Sequence, residues 1–218
     1  MQRLPEPELM NDAAQCQAYA SADFAASNEM YVESARKLIP VTAVAVLDLG
    51  CGPGDVMIRL ARISPSLKIT AVDGSSTMIQ LAADAIEDSG LSQTIEILQG
   101  YVPGLPLVTG HFDAILSKDF LHHLPNPMAL WQEIRRLIKL GGFVCVMDLR
   151  RPDSTEAALQ IVRAVAGNEP EILQTDFYNS LLAAFTPEEV QDQLKAAAMD
   201  LEVTAFGDRH MLIQGNVP

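Results

Sequence analysis

Cationic residues are scarce in this sequence: 15 lysines and arginines stand against 28 aspartates and glutamates, giving 218 residues a net charge of −13. Nucleic-acid binding draws most of its affinity from neutralised phosphates, and the densest basic groupings, Arg135, Arg136 and Lys139, then Arg150 and Arg151, are too short to track a backbone. No nucleic-acid partner is expected, although one basic pocket for a small anion stays open. Cysteine is sparser still. Cys16, Cys51 and Cys145 cannot all be paired with one another and none falls in CxxC spacing, so they read as free thiols of a reducing compartment and no metal site is expected. No apolar run reaches the length of about eighteen residues that a membrane span needs. Pro5, Glu6 and Pro7 interrupt the stretch where a signal peptide would be apolar. Membrane insertion and secretion are therefore disfavoured, and a cytoplasmic location is the expectation. Repeats and Pro/Gly/Ser-rich linkers are missing too, which predicts a single domain over residues 1–218.

What is present is patterned apolar sequence: 49% of residues are hydrophobic and 20% charged, enough for a core in a chain of this length. Residues 1–40 read as a polar helical cap, with Tyr19, Phe24, Met30, Tyr31, Ala35 and Leu38 spaced for one apolar face. From 42 to 148 strands and helices alternate. Ala43 to Leu49 is a nearly continuous apolar run, as expected of a strand covered on both faces, and Asp55 opens a helix that stops before Pro65. Leu67 to Val72 is a second strand, after which Ser75 or Ser76 caps a helix that closes at Gly90. Strands at Thr94 to Leu98, Phe112 to Ser117 and Phe143 to Met147 follow. A helix from about Asn126 and Pro127 to Gly141 precedes the last of them. Residues 149–218 supply a mostly helical insertion with a capping box at Thr186, Pro187 and Glu189, and two closing strands, Leu201 to Ala205 and His210 to Gln214. The alternation predicts an α/β fold with a mostly parallel sheet and helices on both faces.

The informative stretch is Val46-Leu47-Asp48-Leu49-Gly50-Cys51-Gly52-Pro53-Gly54, set between a buried strand and a helix. Glycines there let the chain turn sharply and let a ligand lie on bare backbone beside the positive end of the helix. Asp73, at the end of the next strand, is placed to accept both hydroxyls of a ribose. A dinucleotide loop would need a third glycine at position 55, which is Asp55, an anion where a pyrophosphate would sit; a P-loop would need a GK[ST] that is not there. These residues describe a nucleoside-binding cleft at the carboxyl edge of a sheet.

That segment resembles motif I of the class I S-adenosylmethionine-dependent methyltransferases, and Ala71-Val72-Asp73-Gly74-Ser75 resembles that family's acidic second motif. Leu105-Pro106, Phe112 to Ser117, Leu121-His122-His123-Leu124 and Ile138 to Gly142 continue the resemblance in order, so that it covers about Ala43 to Met147. It implies a Rossmann-like, seven-stranded, mostly parallel sheet with a C-terminal antiparallel hairpin. It also implies S-adenosylmethionine as cofactor, S-adenosylhomocysteine as product and a small-molecule methyl acceptor; a homodimer is left open. Carried over by position, Asp48 orients the loop, Gly50, Cys51 and Gly52 lie against the methionine part, Asp73 and Gly74 hold the ribose, and Met78 packs near the adenine. Ser117 is placed at the same cleft. Where the family commonly has an adenine-reading aspartate this chain has Tyr101, which either covers the ring, with backbone groups near Gly100 and Val102 reading its edge, or plays a structural part. Asp119 and His122 follow the fourth strand and are the candidate catalytic residues, needed as a base only for an acceptor protonated at neutral pH. Lys118 reads as a solvated amine, and Asp148, Arg150 and Arg151 as a salt-bridge cluster. No [DNS]PP[YFW] tetrapeptide is present to grip a flipped base. The alternative reading is a non-catalytic cofactor-binding or regulatory protein on the same fold.

Overall fold

The structure, a computed structural model, describes residues 1–6, 10 and 12–218. Helices α1 (Ala13–Ser21) and α2 (Ala25–Leu38) precede the alternating core: β1 (Ala45–Leu49), α3 (Asp55–Ile63), β2 (Lys68–Asp73), α4 (Ser76–Asp88), β3 (Ile95–Gln99), β4 (Phe112–Lys118), α5 (Met128–Leu137) and β5 (Ile138–Leu149). Helices α6 (Thr155–Ala166), α7 (Glu171–Ala183) and α8 (Pro187–Ala196) lead to the closing strands β6 (Glu202–Phe206) and β7 (His210–Asn216). A 3-10 turn, Leu121–His123, follows β4. The seven strands form one sheet of order β3-β2-β1-β4-β5-β7-β6. Pairings from β3 to β5 are parallel, and β7 runs antiparallel to both β5 and β6.

Side chains alternate across this sheet with a period of two. Val46, Leu116, Cys145 and Met147 point to one face, where they meet Tyr31 of α2 and Met57 and Leu60 of α3. Leu47, Ile115, Val144 and Val146 point to the other, under Trp131 and Ile134 of α5 and Val190 and Leu194 of α8. A smaller cluster joins Leu149 to α6 and α7. The caps follow their chemistry: the Ser75 hydroxyl accepts from Met78 N at the start of α4, and Thr186 and Glu189 close a reciprocal capping box on α8.

The structure corrects two sequence expectations. In the N-terminal helices Tyr31 and Ala35 are buried, but Met30 and Leu38 are exposed, because two helices meeting at a bend do not share one stripe. Helix α5 ends at Leu137, not Gly141, and Ile138 is already extended. The Lys139–Gly142 stretch is drawn into the sheet edge: Lys139 pairs with Asp113 at 2.5 Å, and Gly141 N donates to Val217 O at 2.6 Å. Gly141 has φ +75°, which makes it the hinge of that edge, not a helix cap.

Tyr31 anchors the N-terminal helices to the sheet. Its hydroxyl accepts from Ser117 N at 3.1 Å and lies 2.7 Å from Cys145 O, between β4 and β5.

Candidate functional site

The chain leaves β1 toward β2 on one side and returns to β4 on the other, so the crevice outside their carboxyl ends is the switch point where α/β sheets take ligands. The loop after β1 is held there from beneath: Gly50 N and Cys51 N both donate to Val72 O, at 2.8 and 3.0 Å. Asp73 completes the clamp, accepting from Gly52 N at 2.9 Å and from Ser75 N at 2.8 Å. Each carboxylate oxygen keeps a second lone pair for another donor. Gly50, Gly52 and Gly54 all have positive φ, and Gly54 begins α3.

A cleft of about 540 Å³ opens over this loop. Asp48, Gly50, Cys51, Gly52, Asp73, Gly74 and Met78 all line it. At Gly52 an added Cβ would meet no protein atom within 4 Å, so bare backbone faces the open cleft. Asp48 is buried and its Oδ1 has no hydrogen-bond partner among the described residues. Burial, reinforced by the charge of Asp73, outweighs Lys118 and pushes the Asp48 carboxyl up to about 8. Burial also raises Asp73, against the backbone N–H groups that it accepts from. An acidic floor with an unpartnered buried oxygen is suited to a ligand that brings N–H donors or positive charge.

Other sequence expectations are not gathered here. Gly100, Tyr101 and Val102 do not line the cleft: Gly100 N is taken by Asp73 O at 3.0 Å, Tyr101 is exposed, and Val102 packs toward the α5 side of the sheet. Ser117 is fully buried, its hydroxyl donating to Leu49 O at 2.7 Å, and it serves the sheet. Lys118 is not a solvated amine; its side chain is 8% exposed and paired with Asp119. Asp148, Arg150 and Arg151 do not cluster, since Asp148 holds His122, Arg151 pairs with Glu189 at 2.6 Å, and Arg150 bonds the Gly207–Asp208 turn.

A second cavity, of about 240 Å³, adjoins the cleft. Tyr19, Phe24, Lys118, Asp119 and His123 line both spaces, while His122, Phe177, Arg209 and His210 line the second alone. Asp119 sits at the junction with φ +53°, a conformation that suits aspartate better than most side chains. Burial would raise its pKa, but Lys118 and His210 prevail and hold it well below the usual carboxylate range. His122 is buried with Nδ1 2.8 Å from Asp148 Oδ1, and the other Asp148 oxygen accepts from Leu121 N at 2.7 Å. Burial pushes His122 down, yet Asp148 outweighs it and leaves the ring raised.

The sequence offered little signal for the far wall. Arg209 and His210 come from the β6–β7 hairpin, about ninety residues after Asp119 in the chain, and Asn28 of α2 reaches the cleft by bonding Asp55 at 2.7 Å. None of these forms a local motif.

Sheet order, glycine loop and Asp73 clamp give a Rossmann-like α/β fold with its ligand crevice at the switch point. Residues 46–142 match a family described as a methyltransferase domain. A demethylmenaquinone methyltransferase of Lactococcus lactis is 30% identical over 118 residues, covering 54% of this chain and 46% of that protein. One from Thermotoga maritima is 26% identical over 178 residues, 75% of this chain and 73% of its own. The chain thus spans about half the length of the first of these relatives. A solved S-adenosylmethionine-dependent methyltransferase from Aquifex aeolicus has the same fold, with a TM-score of 0.70 at 19% identity over 95% of this chain and 99% of that one. Over residues 46–142 the chain is thus similar to methyltransferases, and it shares the fold of S-adenosylmethionine-dependent methyltransferases.

Proposed function

We propose that this protein transfers a methyl group from S-adenosylmethionine to a small-molecule acceptor, as a single domain working in the cytoplasm. The observation that carries this reading is the meeting of two cavities at Lys118, Asp119 and His123: one over the glycine loop, one walled by α6, α7 and the β6–β7 hairpin. Asp73 has lone pairs left for the ribose hydroxyls, Gly52 presents bare backbone to the amino-acid portion, and the Asp48 oxygen, without a partner among the described residues, suits its ammonium. Met78, buried at the start of α4, supplies an apolar surface for the adenine.

The bound cofactor supplies an electrophilic methyl group; the chain aligns an acceptor with it and excludes water. Asp119, held anionic by Lys118 and His210, is a poor proton acceptor and acts as a fixed charge that orients the acceptor. His122, aimed by Asp148 on the acceptor side, is the better base for a hydroxyl or acidic carbon. The second cavity, with Phe177, Tyr19 and Phe24 among its walls, suits an aromatic acceptor of modest size. The names of the relatives make a quinone-type ring one such candidate.

Isothermal titration with S-adenosylhomocysteine tests the reading. Saturable binding at one site is expected, and no heat would overturn it. Asp73→Ala is expected to weaken that binding by at least about tenfold, the equivalent of one lost charged hydrogen bond; unchanged affinity would displace the ribose assignment. Tight binding without transfer to any member of a broad metabolite panel would favour a regulatory protein on this fold.

A further inference from the structure

We propose that Glu6, His122 and His123 form a binding site for one divalent transition-metal ion on the wall of the acceptor cavity. A carboxylate oxygen of Glu6 and a ring nitrogen of each histidine lie within 4.8 Å of one another. The three come from separate places: Glu6 from the N-terminal segment, and the histidines from the 3-10 turn after β4. Two adjacent histidines rarely face one point unless a short turn brings them there.

The surroundings hold these groups as metal ligands are usually held. His122 Nδ1 is 2.8 Å from the fully buried Asp148, whose second oxygen is fixed by Leu121 N, so the ring is locked and its Nε2 carries the lone pair. A carboxylate behind an imidazole is the common outer partner of a metal-binding histidine. Glu6 is steadied in turn, its Oε1 accepting from Ser180 Oγ at 2.6 Å. Asp176 of α7 lines the same cavity, its buried Oδ2 without a partner among the described residues, as a candidate fourth ligand.

A simple ion pair joins Glu6 and His123, 2.6 Å apart, and the rings of His122 and His123 lie 4.1 Å apart between centroids, which brings a ligand atom of all three residues within 4.8 Å of one another. Around a tetrahedral ion with bonds of about 2.0–2.1 Å, an oxygen and a nitrogen sit about 3.3 Å apart. The pair therefore needs to open by well under an ångström, a side-chain adjustment. Two imidazoles with carboxylate suit zinc, iron(II), cobalt(II) or manganese(II), whereas magnesium and calcium prefer all-oxygen sets. Coordination would occupy the His122 lone pair, so metal binding and base catalysis by that ring are alternatives.

The test uses the full-length protein, freed of any histidine tag and stripped with a chelator, titrated with zinc(II) alone by calorimetry and with cobalt(II) alone by visible absorption. One equivalent is expected to bind, with ligand-field bands for cobalt. Glu6→Gln and His123→Gln should each weaken zinc at least about tenfold, while His111→Gln, at an exposed histidine away from both cavities, should not. No saturable zinc binding by the unaltered protein would overturn the proposal, as would full affinity in both variants. The metal titration is read without S-adenosylhomocysteine, so its outcome and that of the transferase test are independent.

Discussion

At the scale of single residues, Asp48 is the group whose chemistry is most exposed to test. Its carboxyl is pushed up to about 8 by burial and by Asp73, far above the value of about 4 expected in an unfolded chain. A carboxyl raised on folding favours the protonated native state, so its contribution to stability is present below pH 4 and is lost as pH rises through 8. Asp48→Asn removes that penalty: its melting temperature should exceed the parent's at pH 8.5 by several degrees and match it closely near pH 4, as scanning calorimetry would read. Ligand binding should run the other way. A cation or N–H donor seated at Oδ1 favours the anion, so binding of S-adenosylhomocysteine near pH 7 should release a proton and tighten as pH rises toward 8. Titrations in buffers of different ionisation heat measure this directly; no proton release would place the ligand's ammonium elsewhere.

At the scale of elements, the glycine loop separates stability from binding. Gly50 and Gly52 both have positive φ, but a Cβ on Gly50 would lie 2.5 Å from Phe120 Cγ, whereas one on Gly52 would meet only open cleft. The backbone alone costs alanine about 1–2 kcal/mol at either position. Gly50→Ala should therefore lose markedly more stability than Gly52→Ala in denaturant unfolding, while Gly52→Ala should still fold and lose affinity for S-adenosylhomocysteine. Equal destabilisation would show that Phe120 moves aside easily. The same loop marks how far sequence reading reached. Its glycines, Asp48 and Asp73 were legible because one strand, one turn and one helix cap carry their whole geometry. So were the seven strands, since a short apolar run bounded by turn residues is local. The wall of the second cavity was not, because Arg209, His210 and Asp176 reach it only through tertiary packing. Tyr101 and Ser117 stand outside the cleft for the opposite reason: each follows the motif order, but one side chain turns to solvent and the other to Leu49 O.

At the scale of the whole molecule, the N-terminal segment is brought onto the end of α7 and the turn after β4, beside the second cavity. Leu4 N donates to Leu182 O at 3.0 Å, and Arg3 donates to Ala183 O, His122 O and Leu124 O at 2.5, 2.8 and 3.1 Å. Its guanidinium also lies 4.0 Å from the centre of the Phe185 ring. Arg3 thus ties the N-terminal segment to the end of α7 and to the turn that carries both histidines, while the cofactor cleft rests on β1, β2 and α4. Arg3→Ala removes three charge-assisted bonds to carbonyls, worth about 1.5–3 kcal/mol each at most and less where water can replace them. Hydrogen exchange should accelerate in α1, α7 and the 3-10 turn and stay unchanged in β1 and β4. Affinity for S-adenosylhomocysteine should fall less than turnover of an acceptor, because the tie holds the turn that carries His122 and not the glycine loop. Exchange that quickens evenly through the sheet would instead make Arg3 a support of the core, and the division between a rigid donor cleft and a separately held acceptor cavity would fail.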